Sequence, residues 1–225
     1  MLIEFDETVV TMDGRQRLSV PRLTLSERRI GIAGPNGAGK STFSRLINGL
    51  LLPDQGRVRV NGLDTRRDAQ AIRRQVGFVF QNPDNQIVFP IVREDLDFGL
   101  KPLGLPSAER AMRVSAQLAS LGISALADRS SFSLSGGERQ LVALAAVLVR
   151  DPALIVFDEP TTQLDLRNRN RVRDAIAALA PMAIVVSHDL ELLADFDRVL
   201  VIDDGRIAAD DQPAAALRWY REHCS

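Results

Sequence analysis

The sequence predicts an α/β fold with a mainly parallel sheet, an N-terminal antiparallel β layer and an inserted helical subdomain. Three observations predict it. Short apolar runs, such as Arg29–Ala33, Ala153–Phe157 and Met182–Val186, alternate with helical patterns, as parallel strands joined by helices require. Gly56–Gly62 alternates arginine with valine between glycines, as a half-exposed hairpin strand does. From Val92 to Val149 the pattern is mostly helical. The expected organisation is one domain over 1–225. Its core spans 1–81 and 151–225, and its helical subdomain covers about 82–150.

In chain order, Met1–Asp6 and Thr8–Thr11 read as strand runs before a turn at Met12–Arg15. Leu18, Val20, Leu23 and Leu25 continue the β pattern. The next apolar run, Arg29–Ala33, leads into Gly34-Pro35-Asn36-Gly37-Ala38-Gly39-Lys40-Ser41-Thr42. A short helix pattern follows and stops at Gly49. Strand, glycine loop, lysine, hydroxyl and helix together match the phosphate-binding P-loop, and the fold class becomes that of the P-loop NTPases. The glycines let backbone N–H groups surround phosphate, and the helix contributes its positive end. Lys40 can reach the β- and γ-phosphates, and Ser41 can place its hydroxyl on Mg²⁺.

Gln75–Gln81 reads as a buried strand, and Asn82–Gln86 as a polar turn. Ser107 is the expected N-cap of a helix reaching Leu121, closed by Gly122. A helix over about Gly137–Val149 follows, then helix Leu166–Ala180. Asp203-Asp204-Gly205 is a hairpin turn, and Pro213–His223 a terminal helix with proline near its start.

Composition narrows the function classes. The 225 residues carry a net charge of −1, which gives no reason to propose nucleic acid as a partner. The single cysteine, Cys224, excludes an intramolecular disulfide and suits a reducing compartment. No run approaches the ~20 apolar residues of a membrane span. No basic segment followed by an apolar one opens the chain, so no secretory signal is expected. Work at a membrane would go through a partner.

Five further features carry chemistry. Asp158 and Glu159 end an apolar strand, where open parallel sheets bind ligands. Asp158 is placed to hold the Mg²⁺ shell and Glu159 to polarise an attacking water. Gln81, at another strand end, could ligate Mg²⁺ and contact that water, although an ordinary loop amide would look the same. Leu134–Gln140 places Ser135, Gly136 and Gly137 before a helix, presenting N–H groups and a hydroxyl. A plain serine cap explains the same residues. A second phosphate-shaped element points to a dimer in which each nucleotide lies between two chains. His188 could hydrogen-bond the γ-phosphate and orient Glu159; a lone histidine is also commonly structural. Asp165 could cap the Leu166–Ala180 helix, make an interface contact, or both.

Taken together, the ordered set resembles the ATP-binding cassette (ABC) ATPase family over essentially the whole chain. Gly34–Thr42 matches the P-loop, Gln81 the Q-loop, Leu134–Gln140 the signature, Leu154–Glu159 Walker B, Leu164-Asp165 the D-loop and His188 the switch histidine. Val79–Val88 and Glu94–Gly99 look more narrowly like the A-component ATPases of energy-coupling-factor (ECF) importers, of cobalt and biotin type. That resemblance implies ATP and Mg²⁺ as cofactors and a second ATPase subunit, identical or paralogous. It implies a membrane T-component whose coupling helices sit in the Q-loop groove, and a separate S-component that binds a vitamin or transition-metal ion. The ATPase would then touch no solute and lie at the cytoplasmic face of the membrane through its partners.

The alternatives are an ATPase of a conventional ABC importer or exporter, or a non-transport ABC ATPase. Relatives of the latter kind carry coiled coils or zinc modules between P-loop and signature. Here the stretch between Lys40 and Ser135 carries no heptad run and no cysteine cluster. Two departures stand out. Met12 occupies the place where the family stacks adenine on an aromatic ring, and Gln163 sits in the D-loop where a small residue is common.

Overall fold

The computed structural model describes residues 1–224; Ser225, the last residue of the expected domain, lies outside the described residues. Contacts group the chain into two units. The first comprises Met1–Phe78, Ala153–Glu159 and the described residues from Ala180 onward, and the second Val79–Pro152 and Pro160–Leu179.

The first unit is organised by a ten-stranded mixed sheet. Its strands are β1 (Ile3–Met12), β2 (Arg15–Leu25), β3 (Arg29–Ala33), β4 (Gln55–Val60), β5 (Leu63–Asp64), β6 (Val76–Val79), β7 (Leu154–Asp158), β8 (Met182–Val186), β9 (Arg198–Asp203) and β10 (Arg206–Asp211). Their order across the sheet is β5-β4-β1-β2-β10-β9-β3-β8-β7-β6. β3, β7 and β8 are buried along their whole lengths and pair in parallel, the pattern of strands covered on both faces. β1, β2 and β4 pair antiparallel, and β1 alternates buried with less buried positions, as a one-sided sheet does.

Four helices complete this unit: α1 (Lys40–Ile47), α2 (Ala69–Gln75), α7 (Leu190–Leu193) and α8 (Pro213–His223). Phe43 of α1 stacks on Phe5 of β1 with ring centroids 4.6 Å apart, which fixes the P-loop helix against the antiparallel layer. The helix stops at Ile47; Asn48 caps it, and Gly49 turns left-handed one residue later.

The second unit holds α3 (Val92–Leu100), α4 (Ser107–Ser120), α5 (Gly136–Leu148) and α6 (Leu166–Ala177); one 3-10 turn links α3 to α4 and two link α4 to α5. Leu96, Leu100, Val114, Leu118, Leu141 and Leu144 are buried.

The structure differs from the expectations in four places. The two N-terminal strand runs form one strand, because Glu7 takes φ 44° and absorbs a bulge between Asp6 and Val9 in the pairing with β4. Ser107 does not cap α4: Pro106 occupies the cap, and Ser107 is the first helical residue. α6 stops at Ala177, three residues before the expected end at Ala180. Residues 160–179, expected with the core, group with the helical unit, where α6 packs on α5.

Candidate functional site

The functional residues fall into two constellations, one in each unit. In the first unit the P-loop leaves β3 at Gly34, whose φ is 147°. A Cβ there would drive into the carbonyl oxygen of Ile202, so both the backbone angle and the close approach demand glycine. Gly39 enters α1 at φ 106° beside the Arg17 carbonyl.

Lys40 is buried, and its Nζ donates to the carbonyls of Gly34 at 2.7 Å and Pro35 at 2.9 Å. Desolvation holds its pKa below the ordinary lysine value, against the opposing pull of Glu159 and then Asp158. Ser41 Oγ donates to Asp158 Oδ1 at 2.9 Å. Asp158 is 3% exposed and sits 3.9 Å from the Arg45 guanidinium. Burial raises its pKa, partly offset by the Ser41 hydrogen bond and by Arg45 and Lys40.

The next residue, Glu159, turns out of β7 at φ 55°, a left-handed angle rare for a non-glycine residue. Its N–H donates to Val186 of β8 at 2.9 Å. Its Oε2 lies 2.7 Å from His188 Nδ1 and accepts from the His188 backbone N–H at 3.3 Å. Glu159 is buried, whereas the His188 ring is more than half exposed. The ends of β3, β7 and β8 thus gather a lysine, a hydroxyl, two carboxylates and a histidine.

Ser41 and Asp158 supply adjacent oxygen donors of the hard type that suits Mg²⁺. Among the described residues no cluster of three or more His, Cys, Asp or Glu could cage a metal. That donor set fits an ion that keeps waters and takes phosphate oxygens, as Mg²⁺ does at nucleotide sites.

In the second unit Gln81 is exposed, in the segment after β6. Asn82 accepts from Asp84 N–H at 2.9 Å and opens the expected polar turn. The turn is tied down by Gln86, which sequence reasoning did not single out. Its Nε2 donates to the Ala143 carbonyl on α5 at 2.6 Å, and its Oε1 accepts from Phe80 N–H at 3.4 Å. Arg139 pairs with Asp84 at 3.1 Å.

Ser135 caps α5 in a reciprocal box with Glu138. Its Oγ and its N–H each donate to Glu138 Oε2 at 2.8 Å, while Glu138 N–H donates back to Ser135 Oγ at 3.4 Å. These bonds from Ser135, backbone first, hold the Glu138 pKa below its usual value. Gly136 and Gly137 form the first turn of α5. Asp165 caps α6 by accepting from Asn168 N–H at 2.8 Å. The neighbouring Gln163 takes φ 64°.

With this geometry established, comparison with known proteins is decisive. A family model described as ABC transporter matches residues 21–162. The chain belongs to the ABC transporter family. This ABC ATPase binds ATP and hydrolyses it to power transport. A putative ABC transporter ATP-binding protein of Deinococcus radiodurans is 57% identical to it, over 98% of each chain. The biotin transport ATP-binding protein BioM of Rhizobium etli is 51% identical over 99% of each. The structure of CbiO1 from Clostridium perfringens, described as part of the ABC transporter complex cbiONQ, matches with a TM-score of 0.85. That match has 29% identity and covers 99% of this chain and 95% of that one.

Proposed function

We propose that this ABC ATPase is the A-component of an ECF-type importer and energises uptake of biotin, another vitamin or a transition-metal ion. The observation that carries the catalytic part is the pairing of buried Glu159 with His188 at 2.7 Å, next to the Ser41–Asp158 pair. Two ATPase subunits, identical or paralogous, sandwich two nucleotides. Gly34–Thr42 wraps the phosphates of one nucleotide, and Ser135, Gly136 and Gly137 of the partner subunit complete its site. Ser41, Asp158 and Gln81 would hold Mg²⁺, which would supply neutralisation of phosphate charge. Glu159 takes the proton of the attacking water, and His188 orients Glu159 and the γ-phosphate. Asp165 meets the partner subunit. Differential binding of ATP to the closed pair moves the helical unit and thereby the membrane partner.

No helix among the described residues is long and apolar enough to cross a membrane, which fits attachment through a T-component at the cytoplasmic face. The face between α3 and α4 offers that component a groove of about 660 Å³, lined by Phe89, Arg93, Asp97 and Lys101. The S-component, and not this chain, binds the solute.

The test is purification from native membranes in mild detergent, with mass spectrometry of what accompanies the chain. A T-component and a small S-component are expected, and the ligand of the latter names the solute. Two conventional permease subunits would overturn the ECF assignment while leaving the ATPase intact.

A further inference from the structure

Gly137 is a glycine that takes no unusual backbone angle, since it lies inside the first turn of α5. The reason for glycine is steric. A Cβ on Gly137 would collide with Cβ, Cγ and Oδ1 of Asn168, on the first turn of α6. Asn168 is not loosely held there. Its Nδ2 donates to Asp165 Oδ2 at 3.0 Å, and its N–H donates to Asp165 Oδ1 at 2.8 Å. Both carboxylate oxygens of Asp165 are therefore fixed by one residue, whose side chain fills the space against Gly137.

We infer that Asn168 is a positioning residue that couples the D-loop carboxylate Asp165 to the signature turn at Gly137. The inference rests on the sandwich reading above, in which Ser135, Gly137 and Asp165 all face the partner subunit. With Asn168 wedged between them, the cap of α6 and the first turn of α5 cannot shift independently. Contact at Asp165 is then felt at Ser135, where the partner's nucleotide is completed. Without Asn168 each element would still be capped, Asp165 by backbone alone and Ser135 by Glu138, but the two would move separately.

The test uses the complete transporter, with Asn168→Ala, Asn168→Asp, Gly137→Ala and the double variant Gly137→Ala/Asn168→Gly, because alanine at 168 would keep the Cβ that a side chain at 137 meets. ATP turnover, its Hill coefficient and thermal melting are read for each. Asn168→Ala should lower kcat about tenfold and bring the Hill coefficient towards one, with KM for ATP within about twofold, because the lost quantity is coupling between elements. Asn168→Asp keeps the shape but loses the Nδ2 donor and sets a like charge against Asp165. It should show the same loss of cooperativity as Asn168→Ala, and a loss in both variants that does not track their melting temperatures separates coupling from folding. Gly137→Ala should be the worst single variant, and the double variant should perform like Asn168→Ala, a strong departure from additivity.

Parental kcat and Hill coefficient in both Asn168 variants would overturn the inference. So would a double variant no better than Gly137→Ala, since another group would then demand the glycine. Ser135→Ala in the same assay tests the underlying reading. If it impairs cooperative turnover while the Asn168 variants do not, the sandwich stands and the coupling fails. If Ser135→Ala is also parental, both fall.

Discussion

The two constellations are built by opposite means. The P-loop unit places its charged groups at the ends of strands whose residues are all buried. Lys40, Asp158 and Glu159 are withdrawn from water and held by specific partners. The signature turn lies on an exposed helix start, where Ser135 and Glu138 satisfy one another. Burial makes the first region rigid and electrostatically sensitive, since charge interactions strengthen as water is excluded. Capping makes the second adjustable, because each bond there is exposed and separately replaceable. On the proposed sandwich reading, the hydrolytic groups would be pre-set within one chain, and the signature turn would complete the site of the other.

Substitutions can break or sharpen this contrast. The largest effect is expected at Glu159→Gln, which keeps the shape of the side chain and removes the proposed base. Turnover should fall about 10³-fold while ATP still binds, and the closed dimer should accumulate on gel filtration. Normal turnover would remove Glu159 from the role of base. Next comes Lys40→Ala, which deletes a charged donor to phosphate and should weaken ATP binding about 10- to 100-fold by calorimetry. Unchanged affinity would contradict the P-loop assignment.

Effects in the signature region should be smaller in stability and larger in assembly. Ser135→Ala removes a helix cap worth about 1 kcal/mol, which a denaturant melt would detect. It should also reduce ATP-driven dimerisation, which loss of a cap alone would not. The smallest effect is the pH response of the capping box. The Glu138 pKa is depressed in the folded chain, so the box stabilises the helix above the ordinary glutamate value of 4.5. That stability is lost as pH falls through the lower, folded value. Amide exchange at Ser135 should quicken there, and Glu138→Gln should flatten the response.

Much of this was legible in the sequence because the motifs are contiguous. The P-loop, the Asp158-Glu159 strand end and the Ser135 turn each announce their backbone shape within a few residues, and the alternation of apolar runs announces the sheet. The relations that bring distant segments together were not legible. Gln86 reaches the Ala143 carbonyl across 57 positions. Asn168 abuts Gly137 only because α6 packs on α5. Arg45, one turn after Ser41 on α1, reads as a surface residue until it is seen beside Asp158. Ser107 misled for a local reason: Pro106 already provides the extended entry to α4, and the serine is carried one position into the helix. The sharp turn at Glu159 is also invisible in composition, since nothing about glutamate signals a left-handed angle.

The carbonyls that hold Lys40 have a consequence for affinity. An ammonium buried without acceptors would cost several kcal/mol. Gly34 and Pro35 supply those acceptors from the chain itself, which offsets the cost of burying the ammonium. A triphosphate that took the lysine would have to displace both carbonyls, so its affinity would report a difference between two sets of bonds.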